Sequence, residues 1–88
     1  MAWQIKFIPK VEKQLKKIPI QEVQKIFNFL KKEVAKNPRE SGKPLKGQLR
    51  EFWRYRVGSY RILAKIKDNQ LIVLIIKIGH KKDVYRQK

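Results

Sequence analysis

The spacing of apolar positions changes period along the chain, and each change marks an element. Trp3, Ile5 and Phe7 alternate with Gln4 and Lys6, which predicts a half-buried opening strand. Pro9 ends it and suits the first turn of a helix, where its missing N–H would be unpaired anyway. From Lys10 the apolar residues fall at helical spacing, with Val11, Leu15 and Ile18 on one stripe among Lys10, Lys13, Lys16 and Lys17. Pro19 breaks this first helix. A second helix is predicted from about Gln21 to Asn37, burying Val23, Ile26, Phe27, Leu30 and Val34, with Phe29 to one side. Asn37-Pro38 stops it, and the two helices read as a hairpin.

Residues 39–50 contain Ser, two Gly and a Pro and hold no sustained period, so they read as a connection. Period two then returns in three runs, at residues 52–57, 60–67 and about 71–78, all rich in β-branched and aromatic residues. Val57-Gly58-Ser59-Tyr60 predicts a two-residue hairpin turn with Gly in the first central position. Asp68-Asn69-Gln70 predicts the second turn. Eighty-eight residues enclose one core, so residues 1–88 are expected to form a single domain. The order β-α-α-β-β-β predicts an α+β fold: an antiparallel β-sheet with the N-terminal helical hairpin packed on one face.

A tight Gly58-Ser59 turn sorts the side chains. It pairs Val57 with Tyr60, Arg56 with Arg61 and Tyr55 with Ile62. Trp53, Tyr55, Val57, Tyr60, Ile62, Ala64 and Ile66 then share the core face, while Arg54, Arg56 and Arg61 share the other. A three-residue loop at Asp68 to Gln70 would set Lys77 opposite Arg61 and send Ile72, Leu74, Ile76 and Ile78 to the core.

Charge gives this second face its meaning. Twenty-three Lys and Arg against seven Asp and Glu leave a formal charge of +16, which favours a polyanion or an acidic partner. Like charges facing each other across strands destabilise a sheet by roughly 0.2–1 kcal/mol a pair. A row of Arg56, Arg61 and Lys77 beside Arg54 is therefore expected to bind an anion, since arginine's planar fork matches phosphate oxygens. The competing reading is a solvated face whose arginines pair with Glu51, Asp68 or Asp83. After Gly79 the chain continues as His80-Lys81-Lys82-Asp83-Val84-Tyr85-Arg86-Gln87-Lys88. Histidine is the side chain that titrates near neutrality, which makes His80 a possible general acid or base. Tyr85 can orient a hydroxyl, stack on a base or close one end of the core.

Other chemistries are excluded or weak. No cysteine is present, so disulfides, thiolate metal sites and a cysteine nucleophile are ruled out. Gly42-Lys43-Pro44-Leu45-Lys46-Gly47 has the glycine spacing of a phosphate-binding P-loop, but Gln48-Leu49 stands where that motif needs Lys and Ser or Thr. A structured loop is expected there. No cofactor or metal is expected, and no apolar run is long enough for a signal peptide or membrane span, so a cytoplasmic location is expected.

Three segments together carry a resemblance: Pro44-Leu45-Lys46-Gly47, then Trp53-Arg54-Tyr55-Arg56-Val57-Gly58-Ser59-Tyr60-Arg61, then Ile78-Gly79-His80-Lys81-Lys82-Asp83-Val84-Tyr85-Arg86. Over nearly the whole chain this resembles the RelE branch of the RelE/ParE toxin superfamily. The resemblance implies the toxin of a type II toxin–antitoxin pair, a ribosome-dependent endoribonuclease that cleaves mRNA in the A site, inhibits translation and is held in check by an acidic, RelB-like antitoxin. It implies attack by a ribose 2′-OH on its own 3′-phosphate without a metal.

Carried over position by position, Arg61 corresponds to the phosphate-stabilising arginine, Arg54 and Arg56 to positions often held by lysines around the nucleophile, Lys81 to a leaving-group arginine and Tyr85 to a tyrosine that orients the cleaved nucleotide. Lys46, Lys77, Lys82 and Arg86 are the expected RNA-binding residues around this catalytic set. Arginine is a poor proton acceptor near neutral pH, because its pKa exceeds about 12. The proton acceptor is thus open between His80 and Tyr85. Two other functions fit the same fold: a ParE-like, non-hydrolytic inhibitor of DNA gyrase, and a basic nucleic-acid-binding module without chemistry.

Overall fold

A computed structural model of the chain describes residues 2–47 and 51–80. Strand β1 (Gln4–Phe7) leads into helix α1 (Pro9–Leu15), which starts at its proline as the missing N–H requires. Helix α2 (Ile20–Phe29) continues into one wider turn, Leu30–Val34, in which the Ala35 amide donates to the Leu30 carbonyl at 2.8 Å. The spacing of the buried residues explains the wide turn. Ile26, Leu30 and Val34 follow one another at four-residue steps, and an α-helix of 3.6 residues per turn lets such a stripe drift by about 40° a step. A turn wound at i→i+5 takes that drift back, so all three stay in the core.

Four further strands follow: β2 (Lys43–Pro44), β3 (Phe52–Val57), β4 (Tyr60–Lys67) and β5 (Ile72–His80). The sheet order is β1-β5-β4-β3-β2. β2, β3, β4 and β5 pair antiparallel, whereas β1 joins β5 in parallel. The α+β architecture is the expected one, and two details go beyond it. The sheet is mixed, because the helical hairpin carries the chain from β1 at one edge to β2 at the other, and three antiparallel reversals then bring β5 beside β1 running the same way. The segment read as a connection contains β2, too short to show a period. Its proline sits on an edge strand, where no ladder bond is lost.

The β3–β4 register matches the expected one residue for residue: Val57 with Tyr60, Arg56 with Arg61, Tyr55 with Ile62, Trp53 with Ala64. Gly58, at φ +58°, supplies the left-handed conformation that the first position of this turn demands. The β4–β5 register is different. The loop runs one residue longer than expected: after the 3₁₀ turn Asp68–Gln70, Leu71 adopts a left-handed conformation at φ 54°, and Lys67 pairs with Ile72. For a side chain such as leucine this conformation costs about 1–2 kcal/mol. The extra residue reverses parity, so Val73 and Ile75 enter the core in place of Ile72 and Leu74.

A bulge then absorbs Ile76 between the pairs Ala64–Ile75 and Leu63–Lys77, and parity returns in time to bury Ile78. Lys77 consequently faces Leu63, and Arg61 faces Gly79.

The core lies between the helices and one face of the sheet. Val11, Ile26, Leu30 and Val34 pack there on Tyr55, Ile62, Ala64, Val73, Ile75 and Ile78. Phe27, expected in the buried stripe, is 42% exposed and leans on Phe7 at 5.8 Å between ring centroids. β1 is the outermost strand, so no further strand among the described residues covers that ring. Tyr55 anchors the loop after α2: its buried hydroxyl donates to the Pro38 carbonyl at 2.7 Å, and burial pushes the phenol's pKa up. Gly42 lets the same loop close on β3, since a Cβ there would stand 2.3 Å from the Arg54 carbonyl oxygen. Beside it, Arg39 makes a two-pronged pair with Asp68 at 2.8 and 2.9 Å and lies over the Trp53 ring.

Two outcomes follow. Tyr55→Phe leaves a buried carbonyl without its donor and should cost about 1–3 kcal/mol in urea unfolding. The Arg39 guanidinium holds the Asp68 carboxyl below its ordinary 3.8, so this pair favours the fold above that pH and loses its effect as pH falls through the lowered value. In an NMR titration the Asp68 midpoint should lie below 3.8 and return towards it in Arg39→Gln.

Candidate functional site

Residues paired across strands share a face, so the register defines what the sheet presents away from the helices. One row there is Arg56–Arg61–Gly79, and the next is Lys43–Arg54–Leu63–Lys77. Two arginines thus face each other at the hairpin end, and three more cations stand in the adjacent row. The cluster expected from the sequence is present in an altered arrangement. The shift of β5 takes Lys77 out of the Arg61 row and sets it one row down, beside Leu63. It also leaves a glycine, with no side chain, as the third member of the Arg56–Arg61 row.

The hairpin holds these groups in different ways. Arg61 is 6% exposed and is the charged residue of the buried set. Its Nη1 donates to the carbonyl oxygens of Gly58 and Tyr60, at 3.2 and 3.1 Å, which fixes the guanidinium at the turn. Arg56 is exposed and Arg54 half-buried. Two of the three carboxylates offered as competing partners are engaged elsewhere, Asp68 with Arg39 and Glu51 with Lys65 at 3.7 Å, and the third, Asp83, lies outside the described residues. Neither contact involves an arginine of the cluster.

Other expected site residues lie apart. His80 ends β5 on the helix side of the sheet, paired with Tyr60, whose ring it meets edge-on at 5.8 Å between centroids. Gln14, Lys17 and Ile18 of the first helical segment line the same small cleft, and the Gln14 Oε1 accepts from the Ile78 amide. His80 thus occupies the face opposite that of Arg54, Arg56 and Arg61. Lys46 is exposed just beyond β2. Lys81, Lys82, Tyr85 and Arg86 lie outside the described residues.

Lys43 is the cation that sequence reasoning passed over. A two-residue strand carries no periodic signal, and only its pairing with Arg54 reveals that it belongs to the cluster. Chemically, such a face, with one guanidinium held at Arg61 and further arginines and lysines around it, can bind phosphate oxygens and stabilise charge developing on them.

With this fold and face in place, comparison with known proteins identifies the class. Residues 5–85 match the family model described as the ParE toxin of the type II toxin–antitoxin system parDE, and the chain belongs to that family, within the RelE/ParE toxin superfamily. Among individual relatives, toxin RelG of Mycobacterium tuberculosis is 29% identical over 87 residues, covering 99% of this chain and all of that protein. Among solved structures, the M. tuberculosis toxin–antitoxin complex RelBE2 contains a chain superimposing with a TM-score of 0.86 at 26% identity, over 91% of this chain and 99% of that one. A free-state mutant of the E. coli toxin RelE gives a TM-score of 0.79 at 24% identity over 97% and 92% of the two chains, a likeness of fold. The chain is thus a toxin of a type II toxin–antitoxin system.

The facing arginines yield a measurable consequence. In a low-salt, phosphate-free buffer Arg56→Ala should leave the fold as stable as wild type or more stable by up to about 1 kcal/mol, because it removes a like-charge cross-strand pair. Added inorganic phosphate should raise the melting temperature of wild type more than that of the variant.

Proposed function

We propose that this toxin is a ribosome-dependent endoribonuclease that cleaves mRNA in the A site and so arrests translation in the cytoplasm. The observation that carries this reading is the cationic face itself, with Arg56 opposite Arg61 and Arg54 and Lys77 in the adjoining row. Stability does not favour such a face; a bound phosphate does.

In the proposed reaction the ribose 2′-oxygen attacks the adjacent phosphorus as its proton leaves to an acceptor, and the P–O5′ bond breaks as that oxygen gains a proton. The products are a 2′,3′-cyclic phosphate and a 5′-hydroxyl end. Arg61, fixed by the turn carbonyls, stabilises negative charge on the non-bridging oxygens, and Arg54 and Arg56 hold the phosphate from the neighbouring strand. Such preorganised charge contributes several kcal/mol where water is excluded, so the reaction needs no metal or cofactor. Lys81 is assigned to the leaving oxygen and Tyr85 to positioning of the nucleotide, with Lys46, Lys77, Lys82 and Arg86 holding the RNA backbone. For His80 the helix-side position favours a role in shaping the end of β5 over proton transfer at Arg61.

The partner that restrains the activity is a cognate acidic antitoxin of the RelB kind. Supporting this are the net charge of +16 and the solution of a 26%-identical relative as a toxin–antitoxin complex. A second reading, a non-hydrolytic gyrase inhibitor, is favoured by the ParE description of the matching family.

One experiment separates them. Incubating the purified toxin with programmed ribosomes should produce new 5′ ends on the message, reduced about 100-fold or more in Arg61→Ala and strongly in Tyr85→Phe, on the scale of losing one charge-stabilising donor. Absence of new ends with wild type, together with loss of gyrase supercoiling activity, would establish the second reading instead.

A further inference from the structure

A recess of about 180 Å³ opens on the outer side of β3, away from Arg61. Glu40, Ser41, Gly42 and Lys43 line it on one side and Arg54 and Arg56 on the other. Three cations therefore converge on a space that the fold builds deliberately. The chain can enter β2 beside Arg54 because Gly42 lacks a side chain: a Cβ there would meet the Arg54 carbonyl oxygen at 2.3 Å and the Tyr55 ring at 2.7 Å. The ladder pairs Lys43 with Arg54 on the face that carries the cationic cluster. Neither Lys43 nor Arg56 has an ion-pair partner among the described residues, although Glu40 is close by.

The geometry points to a second phosphate subsite in this recess, formed by Lys43, Arg54 and Arg56, which takes an RNA backbone phosphate one or two nucleotides from the one held at Arg61. Neighbouring strands are about 4.8 Å apart and alternate residues along a strand about 6.7 Å, so Lys43 and Arg61 are separated by roughly 12 Å across the sheet. That spacing suits two phosphates of one strand. The RNA accordingly runs from the β2 edge across the hairpin, with Arg54 and Arg56 shared between the two positions. Lys43 acts here as a binding and positioning residue. The assignment rests on the ribonuclease reading for its place in the reaction, but the binding itself can be measured without cleavage.

The test uses full-length toxin and short 2′-O-methyl oligoribonucleotides, which lack the attacking hydroxyl. Lys43→Gln should weaken binding about fivefold at 0.1 M salt and reduce the slope of log K against log salt by about 0.7, the loss of one single-strand phosphate contact. Lys43→Arg should restore both, and Lys13→Gln, on the exposed side of α1, should change neither the affinity nor the slope by as much. On programmed ribosomes Lys43→Gln should raise the half-saturating toxin concentration while leaving the single-turnover rate at saturation close to wild type, unlike Arg61→Ala. Affinity and salt slope equal to wild type in Lys43→Gln, or an effect matched by Lys13→Gln, overturns the subsite. Loss of oligonucleotide affinity in Lys43→Gln without cleavage by wild type on ribosomes upholds the subsite and overturns the ribonuclease reading.

Discussion

Everything on the functional face depends on the register of the β3–β4 hairpin. A two-residue turn closed by Gly58 leaves no freedom in the pairing, and side chains alternate between faces with period two. That single constraint sends Trp53, Tyr55, Ile62 and Ala64 towards the helices and Arg54, Arg56 and Arg61 away from them. A slip of one residue in β3 against β4 would turn Arg54 and Arg56 into the core and Tyr55, fully buried here, out of it. The core therefore enforces the site: the apolar face locks the register, and the register keeps like charges side by side against their own repulsion. Arg61 tightens the coupling further, because its guanidinium bonds the carbonyls of the turn that sets the register.

This explains which parts of the structure were legible in the sequence. The β3–β4 pairing could be read residue for residue, since a glycine turn and seven alternating residues specify it twice over. The β4–β5 pairing could not. Asp68-Asn69-Gln70 signals a turn, but nothing signals that Leu71 will take a left-handed conformation and lengthen it, and the run Ile72 to Ile76 is apolar throughout. Such a run satisfies either parity. The choice falls to the tertiary fit: Val73 and Ile75 fill the space against the helices, and the bulge at Ile76 restores the phase so that Ile78 enters the core. Phe27 failed for a related reason, because helical spacing reports which face an aromatic occupies without reporting whether anything covers the sheet's outer edge.

Electrostatics and packing divide the work between them on the two faces. The hydrophobic face needs no charge, and the helical hairpin carries its lysines outward, where water screens them. On the open face the β5 shift has a useful result. Lys77 opposite Arg61 would have put three cations in one row, with two direct like-charge pairs. With Gly79 in that row and Lys77 beside Leu63, the Arg56–Arg61 pair is the one direct like-charge pair of that row, while the same number of cations remains on the face. Lys43, brought in by an edge strand of two residues, extends that reach without adding to the central row, although it does face Arg54.

Proton chemistry is separated from this charge arrangement. The guanidinium groups that strand parity fixes on the open face stay protonated at any physiological pH. They can stabilise a pentacoordinate phosphate but cannot accept the proton of a ribose hydroxyl. The histidine is held by parity on the opposite face against Tyr60. Strand register therefore gathers the arginines on one face of the sheet and holds the histidine on the other. On the proposed ribonuclease reading the proton acceptor therefore comes from outside the arginine rows, which supply charge alone.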